Sequence, residues 1–314
     1  MHNDHSAFNM SKPSLQDIRV CELFAGIGGF RLGLEQASPR FRTVYANDLN
    51  PYCSKVYRYH YYQDNTFQEK DIRNVDTATI PKFDLLVGGF PCQPFSSIGN
   101  RQGLSDQQGR GTLFKEILRF AKDLQPKMLL LENVPGLHSI NAGDTFKTIL
   151  CGLGELGYTC EWQVFNSKYF GVPQNRRRIF ITGYLTANRC GGGTVFPIRF
   201  TNSIYHSQKL SKKVSSTLTT VYNKHGNGGN TYIITNNNKP LQLRAFTPVE
   251  CERLQGFPDN WTRYGLEGST GKKAVELSVG RRYILCGNAV TVNVIKYLGG
   301  LVLRFFDENF GGTM

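Results

Sequence analysis

Between Arg19 and about Leu185, short apolar runs alternate with stretches of helical periodicity, and this alternation constrains the fold more than any other feature of the chain. Val20–Phe24, Thr43–Ala46, Asp84–Val87, Met128–Leu131 and Arg178–Tyr184 read as strands, several of them apolar on both faces. Phe30–Ala37, Pro51–Tyr61, Thr112–Leu124 and Asp144–Leu156 read as helices, and Asn50 before Pro51 fits an N-cap followed by a first-turn proline. Strands buried on both sides and separated by helices predict an α/β fold, a doubly wound and mainly parallel sheet.

The texture changes after Leu185. Residues 186–243 are rich in Gly, Asn, Ser and Thr, with only short β-like runs at Val214–Tyr222 and Tyr232–Thr235. Helical patterning returns with Pro248–Gln255 and Ala289–Phe306. A chain of 314 residues has room for about two domains. The expected organisation is a tail at 1–17, a catalytic domain at 18–185, a small loop-rich β domain at 186–278, and a segment at 279–314 returning to the first domain.

Charge singles out the same region. No Asp or Glu occurs in the 88 residues between Glu161 and Glu250, which hold twelve of the 37 basic residues. The rest of the chain is nearly neutral, so the net charge of +13 resides in this stretch. Over such a length, interleaved with Tyr, Asn and Gly, it reads as a surface facing a polyanion, with nucleic acid the leading candidate. The polar N-terminus has no signal-peptide h-region, and no apolar run approaches the roughly 18 residues that span a bilayer. Eight cysteines without a Cys-x-x-Cys pair and six scattered histidines predict reduced thiols, no metal site and a cytoplasmic protein.

The residues that carry chemistry sit at strand ends. The first strand runs into Phe24-Ala25-Gly26-Ile27-Gly28-Gly29, a turn that admits a nucleotide at a helix N-terminus, although Arg31 stands where a dinucleotide fingerprint has its third glycine. Asp48 ends the next strand and Asp71 follows. Two acids at strand ends suit an adenosine ligand without phosphates, such as S-adenosylmethionine, better than NAD. Asp84–Val87 opens into Pro91-Cys92-Gln93, with Cys92 at the strand's C-terminal end and a polar loop over 93–112. Met128–Leu131 opens into Glu132-Asn133-Val134, where a carboxylate in a dry pocket becomes a raised-pKa proton donor. Arg176 and Arg178, two apart in an extended segment, point to one side.

Six motifs occur in order: FAGIGG at 24–29, GGFPCQPFS at 88–96, ENV at 132–134, QNRRR at 174–178, RAFTPVECERLQGFP at 244–258 and GNAVTVNV at 287–294. With them the chain resembles the DNA (cytosine-5)-methyltransferase family of restriction–modification systems and phages. The resemblance implies the S-adenosylmethionine-dependent, Rossmann-like methyltransferase fold and methylation of carbon 5 of a cytosine in double-stranded DNA. It also implies that the target base is flipped out of the duplex.

Residue by residue, the resemblance makes Cys92 the nucleophile at carbon 6 of the base. Glu132 is the group at ring nitrogen 3, Arg178 touches the base carbonyl and Arg176 braces the site. For S-adenosylmethionine the matching positions are Phe24, Gly26, Ile27, Gly29, Asp48, Leu49, Asp71, Ile72, Pro91, Leu113, Asn288 and Ala289. DNA contacts are expected from Gln93, Ser96, Arg110 and Thr217, and from Lys209, Lys212 and Lys213. Two departures stand out: Ala289 replaces the family's usual serine, and the variable stretch between QNRRR and RAFTPVE, where target recognition ordinarily lies, is short. The expected protein is a monomer, with a restriction endonuclease of the same system as a partner that it does not touch. Competing readings are an RNA (tRNA) cytosine-5 methyltransferase, whose Pro-Pro-Cys-Gln and Cys-Phe-Thr signatures are missing, and an inactive DNA-binding homologue, which would have lost Cys92 or Glu132.

Overall fold

A computed structural model describes residues 16–91, 112–185, 194–196, 233–235, 242–267 and 273–310. Its centre is strand β1 (Ile18–Leu23), buried on both faces because strands lie on either side of it and helices above and below. Ile18 and Val20 join one apolar cluster, while Cys21 and Leu23 join another on the opposite face of the sheet. The remaining strands of this sheet are β2 (Phe41–Asp48), β3 (Phe67–Glu69), β4 (Leu85–Gly89), β5 (Met128–Asn133), β6 (Tyr158–Asn166) and β7 (Arg177–Leu185). Their order is β3-β2-β1-β4-β5-β7-β6. The first five run parallel, and β7 pairs antiparallel with both β5 and β6. The doubly wound, mainly parallel sheet expected from the alternation is therefore present, with an antiparallel pair at one edge.

Helices α1 (Gly29–Ala37), α2 (Pro51–Tyr61), α3 (Thr112–Leu124) and α4 (Asp144–Glu155) match the predicted stretches to within a residue. Asn50 caps α2 as anticipated, its side chain accepting from the Tyr52 N–H at 2.9 Å. Helix α5 (Pro248–Leu254) opens with a capping box formed by Thr247 and Glu250.

The C-terminal region differs from the sequence reading. The helix expected at Ala289–Phe306 is α7 (Val292–Phe310), and it is preceded by a helix that was not expected, α6 (Val279–Asn288). The break falls where Ala289 turns extended and closes α6 by donating its N–H to the Leu285 carbonyl. By length and composition alone the stretch Val279–Phe310 would suffice to cross a membrane, with half of its most apolar window buried inside the protein. Here the break interrupts it, and Val294, Ile295, Leu298, Val302, Phe305 and Phe306 of α7 are buried in the cluster that covers β1.

Helix α7 lies directly on α1. A Cβ at Gly33 would stand 2.6 Å from that of Ile295, and one at Gly299 would stand 2.8 Å from that of Ala37. The close approach that a third glycine of a dinucleotide fingerprint supplies is thus made by Gly33, two positions after Arg31. The Arg31 side chain turns away, buried over the Tyr61 ring and paired with Glu35 and Asp64.

Strands β3 and β6 were missed because the first is three residues long and the second is an edge strand of half-buried polar and apolar residues. Strand β8 (Ile233–Thr235) coincides with the end of the predicted run at 232–235 and pairs with β9 (Gln242–Arg244). The expected run at 214–222 lies outside the described residues. A further hairpin, β10 (Tyr264–Glu267) with β11 (Lys273–Glu276), follows α5. Phe257, Trp261 and Leu277, within the segment 186–278, pack with Ile27 of the glycine loop and with Cys53 and Val56 of α2.

Candidate active site

The loop after β1 is held in an unusual backbone conformation. Phe24, Gly26 and Gly28 all have positive φ, at 54°, 56° and 82°. The first of these is costly for a residue with a side chain. Around Gly26 the space is open, since a Cβ there would meet nothing within 4 Å. The loop is braced by Asp48 at the end of β2, whose carboxylate accepts from the Gly26 N–H at 2.8 Å and from the Asn50 N–H at 2.8 Å. Burial pushes the Asp48 carboxyl up, and the backbone donors oppose that shift. Next to it Leu49 is 61% exposed.

Asn47, on β2, donates to the carbonyls of Gln68 and Lys70 and so carries the chain toward Asp71. Asp71 caps the turn that follows and pairs with Arg73, whose guanidinium holds its carboxyl below the usual range. Ile72 is buried in the core. Pro91 and Asn288 are exposed, Leu113 is half-buried and Ala289 is buried.

The ends of β4 and β5 meet a second group of residues. Gly89 of β4 is register partner to Glu132 of β5, and a Cβ at Gly89 would lie 3.3 Å from the Glu132 carboxylate. Glu132 pairs with Arg178 of β7, Nε to Oε1 at 2.9 Å. Burial raises the Glu132 carboxyl above the usual range, while Arg178 and then Arg176 pull it back. Asn133 donates its side-chain N–H to the Phe90 carbonyl at 3.0 Å, tying the tip of β5 to the segment that leads into Pro91. Cys92 is the next residue in the chain. It lies outside the described residues, as do Gln93, Ser96, Arg110, Thr217, Lys209, Lys212 and Lys213.

Arg176 is buried, and its guanidinium donates to the carbonyls of Gly287 and Ala289 at 3.1 and 2.8 Å. Burial and the neighbouring Arg178 pull it below the usual arginine range, while the Glu132 charge opposes that. Around it runs a buried polar network. Gln174 donates to the Leu254 carbonyl at 2.7 Å, Gln255 donates to the Cys286 carbonyl at 2.7 Å, and Thr291 donates to the Gln255 side-chain oxygen at 2.9 Å. Three of the sequence motifs, QNRRR, RAFTPVECERLQGFP and GNAVTVNV, are thereby fastened to one another inside the protein. Buried amides of this kind stay only where their hydrogen bonds are met.

Glu132 and Arg178 therefore meet, with the buried Arg176 close enough for its charge to act on Glu132. Asn47, Asn133 and Gln255 escaped the sequence reading. All three are amides at strand or helix ends whose partners are backbone carbonyls far along the chain, which no local spacing announces. Among the described residues, no group of three His, Cys, Asp or Glu side chains is arranged to hold a metal ion.

Known proteins share this arrangement. The model of the C-5 cytosine-specific DNA methylase family matches residues 18–195 and 194–303. The Type II methyltransferase M.SsoII of Shigella sonnei is 32% identical, over 92% of this chain and 81% of its own length. M.HaeII of Haemophilus aegyptius is 31% identical, over 92% of this chain and 94% of its own. Among solved structures, the Dnmt2 methyltransferase of S. pombe superposes with a TM-score of 0.69 at 23% identity, covering 91% of this chain and 98% of its own. The methyltransferase EhMeth of Entamoeba histolytica gives 0.66 at 21%, covering 93% and 99%. The fold is that of the S-adenosylmethionine-dependent methyltransferases. The chain belongs to the C-5 cytosine-specific DNA methylase family, and it is an enzyme that methylates cytosine in DNA.

Proposed function

We propose that the protein methylates one specific cytosine in double-stranded DNA, flipped out of the helix, through a covalent adduct with Cys92. The observation that carries this reading is the buried Glu132–Arg178 pair against the end of β4, with the Pro91–Cys92 peptide next along the chain. Carbon 5 of cytosine is a poor nucleophile while the ring is aromatic. The Cys92 thiolate forms a bond to carbon 6 and pushes the ring π electrons toward nitrogen 3, where the raised-pKa Glu132 carboxyl donates its proton. Arg178 holds Glu132 and faces the base carbonyl. Carbon 5, now enamine-like, would take the methyl group as that group's bond to the sulfonium sulfur broke. The carbon-5 proton then leaves to a base, and its electron pair re-forms the C5–C6 double bond as the C–S bond breaks. Cys92 departs as the thiolate, and nitrogen 3 returns its proton to Glu132.

The residues around the glycine loop fit S-adenosylmethionine. The loop is open at Gly26, Leu49 offers an apolar surface, and Asp48 and Asp71 border the same strand ends. When bound, this cofactor supplies an electrophilic methyl group. Phe24, Ile27, Gly29, Pro91, Leu113, Asn288 and Ala289 complete its proposed surroundings, with Ile72 contributing through its backbone. We assign target recognition to residues 186–243, and DNA contacts to Gln93, Ser96, Arg110, Thr217, Lys209, Lys212 and Lys213. We further propose a monomer, with a restriction endonuclease of the same system as a partner that it does not touch.

Fluorine at carbon 5 does not leave as a cation. Duplex DNA with 5-fluorocytosine at the target should therefore stall as a thioether that survives denaturing electrophoresis and depends on S-adenosylmethionine. Cys92→Ser should abolish it, and Cys→Ala at each of the other seven cysteines should not. An adduct on one of those seven, or on tRNA in preference to DNA, sinks this reading.

A further inference from the structure

The glycine loop is open on one side and clamped on the other, and the clamp is a tryptophan from a distant part of the chain. The Trp261 indole N–H donates to the Ile27 carbonyl at 2.9 Å, and both residues are buried. Ile27 lies between the two left-handed glycines, Gly26 and Gly28. The peptide that follows it is held from both sides: the Gly28 N–H donates to the Ala25 carbonyl at 3.0 Å inside the loop, and the Ile27 carbonyl takes its hydrogen bond from Trp261, outside the loop. Trp261 is itself held. Its ring stacks on His60 of α2 with centroids 3.5 Å apart and planes within 4°. The His60 Nε2–H donates to the Trp261 carbonyl at 2.8 Å. Phe257 packs on the same indole, and a Cβ on Gly29 would meet Phe257 at 3.3 Å and Val290 at 2.7 Å. Side chains from the C-terminal third of the chain thus fill the inner side of the loop, while among the described residues a Cβ on its Gly26 side would meet nothing within 4 Å.

We propose that Trp261 is a positioning residue for S-adenosylmethionine: its indole N–H holds the Ile27–Gly28 peptide in the binding conformation, and His60 holds the indole. This rests on the reading that the loop binds that cofactor. The alternative is that Trp261 only fills space, and the two roles separate when the donor is removed without changing the ring's size.

The protein has two tryptophans, and the other, Trp162, is half-exposed on β6 with Phe146 as its ring partner. In a Trp162→Phe background, Trp261 is replaced by Phe, or by benzothienylalanine, which keeps the bicyclic ring and exchanges N–H for sulfur. Calorimetry with S-adenosylhomocysteine then reads the cofactor site without catalysis. Both replacements should weaken binding about tenfold, the effect of one buried hydrogen bond. In the benzothienyl protein the ligand-free melting temperature should stay close to that of the parent. Steady-state assays with saturating DNA should show the KM for S-adenosylmethionine rising by the same factor, with kcat within about twofold. Unchanged binding by the benzothienyl protein overturns the positioning role and leaves a packing role. Failure of the Trp162→Phe parent itself to bind S-adenosylhomocysteine overturns the cofactor reading, and this inference with it.

Discussion

Glu22 is a carboxyl in the middle of β1, fully buried, with the Tyr57 hydroxyl donating to Oε2 at 2.9 Å. Burial pushes it up to about 8, while the Tyr57 hydrogen bond and the Arg31 charge oppose that and the Glu35 charge adds to it. The folded state therefore holds a proton that the unfolded chain releases near pH 4.5. The associated stability is complete below that pH and is lost as pH rises through about 8, by at most about 1.4 kcal/mol per pH unit. Glu22→Gln mimics the protonated form, so the melting temperatures of variant and parent should diverge from pH 5 to pH 9, with the variant the higher at pH 9. Parallel curves would show that Glu22 does not titrate in this window. Glu132→Gln, by contrast, should leave cofactor binding intact and slow formation of the 5-fluorocytosine adduct by about a hundredfold or more, because an amide has no acidic proton to give. Both acids sit in strands, and only one was legible. Glu132 falls where a strand opens into polar residues and in a recognisable motif, whereas Glu22 lies inside an apolar run and reads only as an interruption of it. Asp48 was legible as an acid at a strand end. That its carboxylate braces the Gly26 N–H was not, because the partner is a backbone group whose direction depends on a left-handed turn.

At the scale of elements, periodicity located helices α1 to α4 because each carries an apolar face that must be buried and a signal at one or both ends. It failed at α6, a helix of mixed character whose inward side is made by Arg282, Tyr283, Leu285 and Cys286. Arg282 is inside because Glu252 of α5 is inside, and the two pair at 2.9 Å, with the Asn260 and Thr262 N–H groups also donating to Glu252. Removing one member leaves a charge buried without its partner. Arg282→Ala should therefore destabilise the protein by about 3–5 kcal/mol, whereas Arg263→Ala, on an exposed pair with Glu276, should leave stability close to that of the parent. Chemical denaturation of the two variants gives the comparison directly. The α1–α7 contact makes a different demand. Gly33→Ala places a methyl group 2.6 Å from Ile295 Cβ and 2.9 Å from the Val292 carbonyl, so the helices must separate, at about 1–3 kcal/mol. That loss should show in the same titration and should be less than additive with Ile295→Val. Glycine spacing alone suggested a nucleotide turn. It did not reveal that Gly33 serves helix packing, since its neighbour lies more than 250 residues away.

For the whole molecule, the acid-free stretch predicts strong electrostatics. DNA binding should weaken with salt by about 0.9 logarithmic units per phosphate neutralised, and exchanging Lys209, Lys212 and Lys213 together for Gln should flatten that slope. An unchanged slope in filter binding would remove those three from the DNA face. The sequence located this charge without aiming it, because the direction of a surface lysine depends on loop geometry that composition does not encode. The same long-range dependence governs how the chain comes into being. Synthesis delivers β1, the glycine loop and α1 first, yet α1 is covered by α7 and the loop is filled by Phe257, Trp261 and Val290. During translation, then, the glycine motif waits with its apolar underside bare until α7 has emerged and packed on α1. A nascent chain stalled before residue 279 would present an incomplete cofactor loop, and methyl transfer should begin only once α7 is in place.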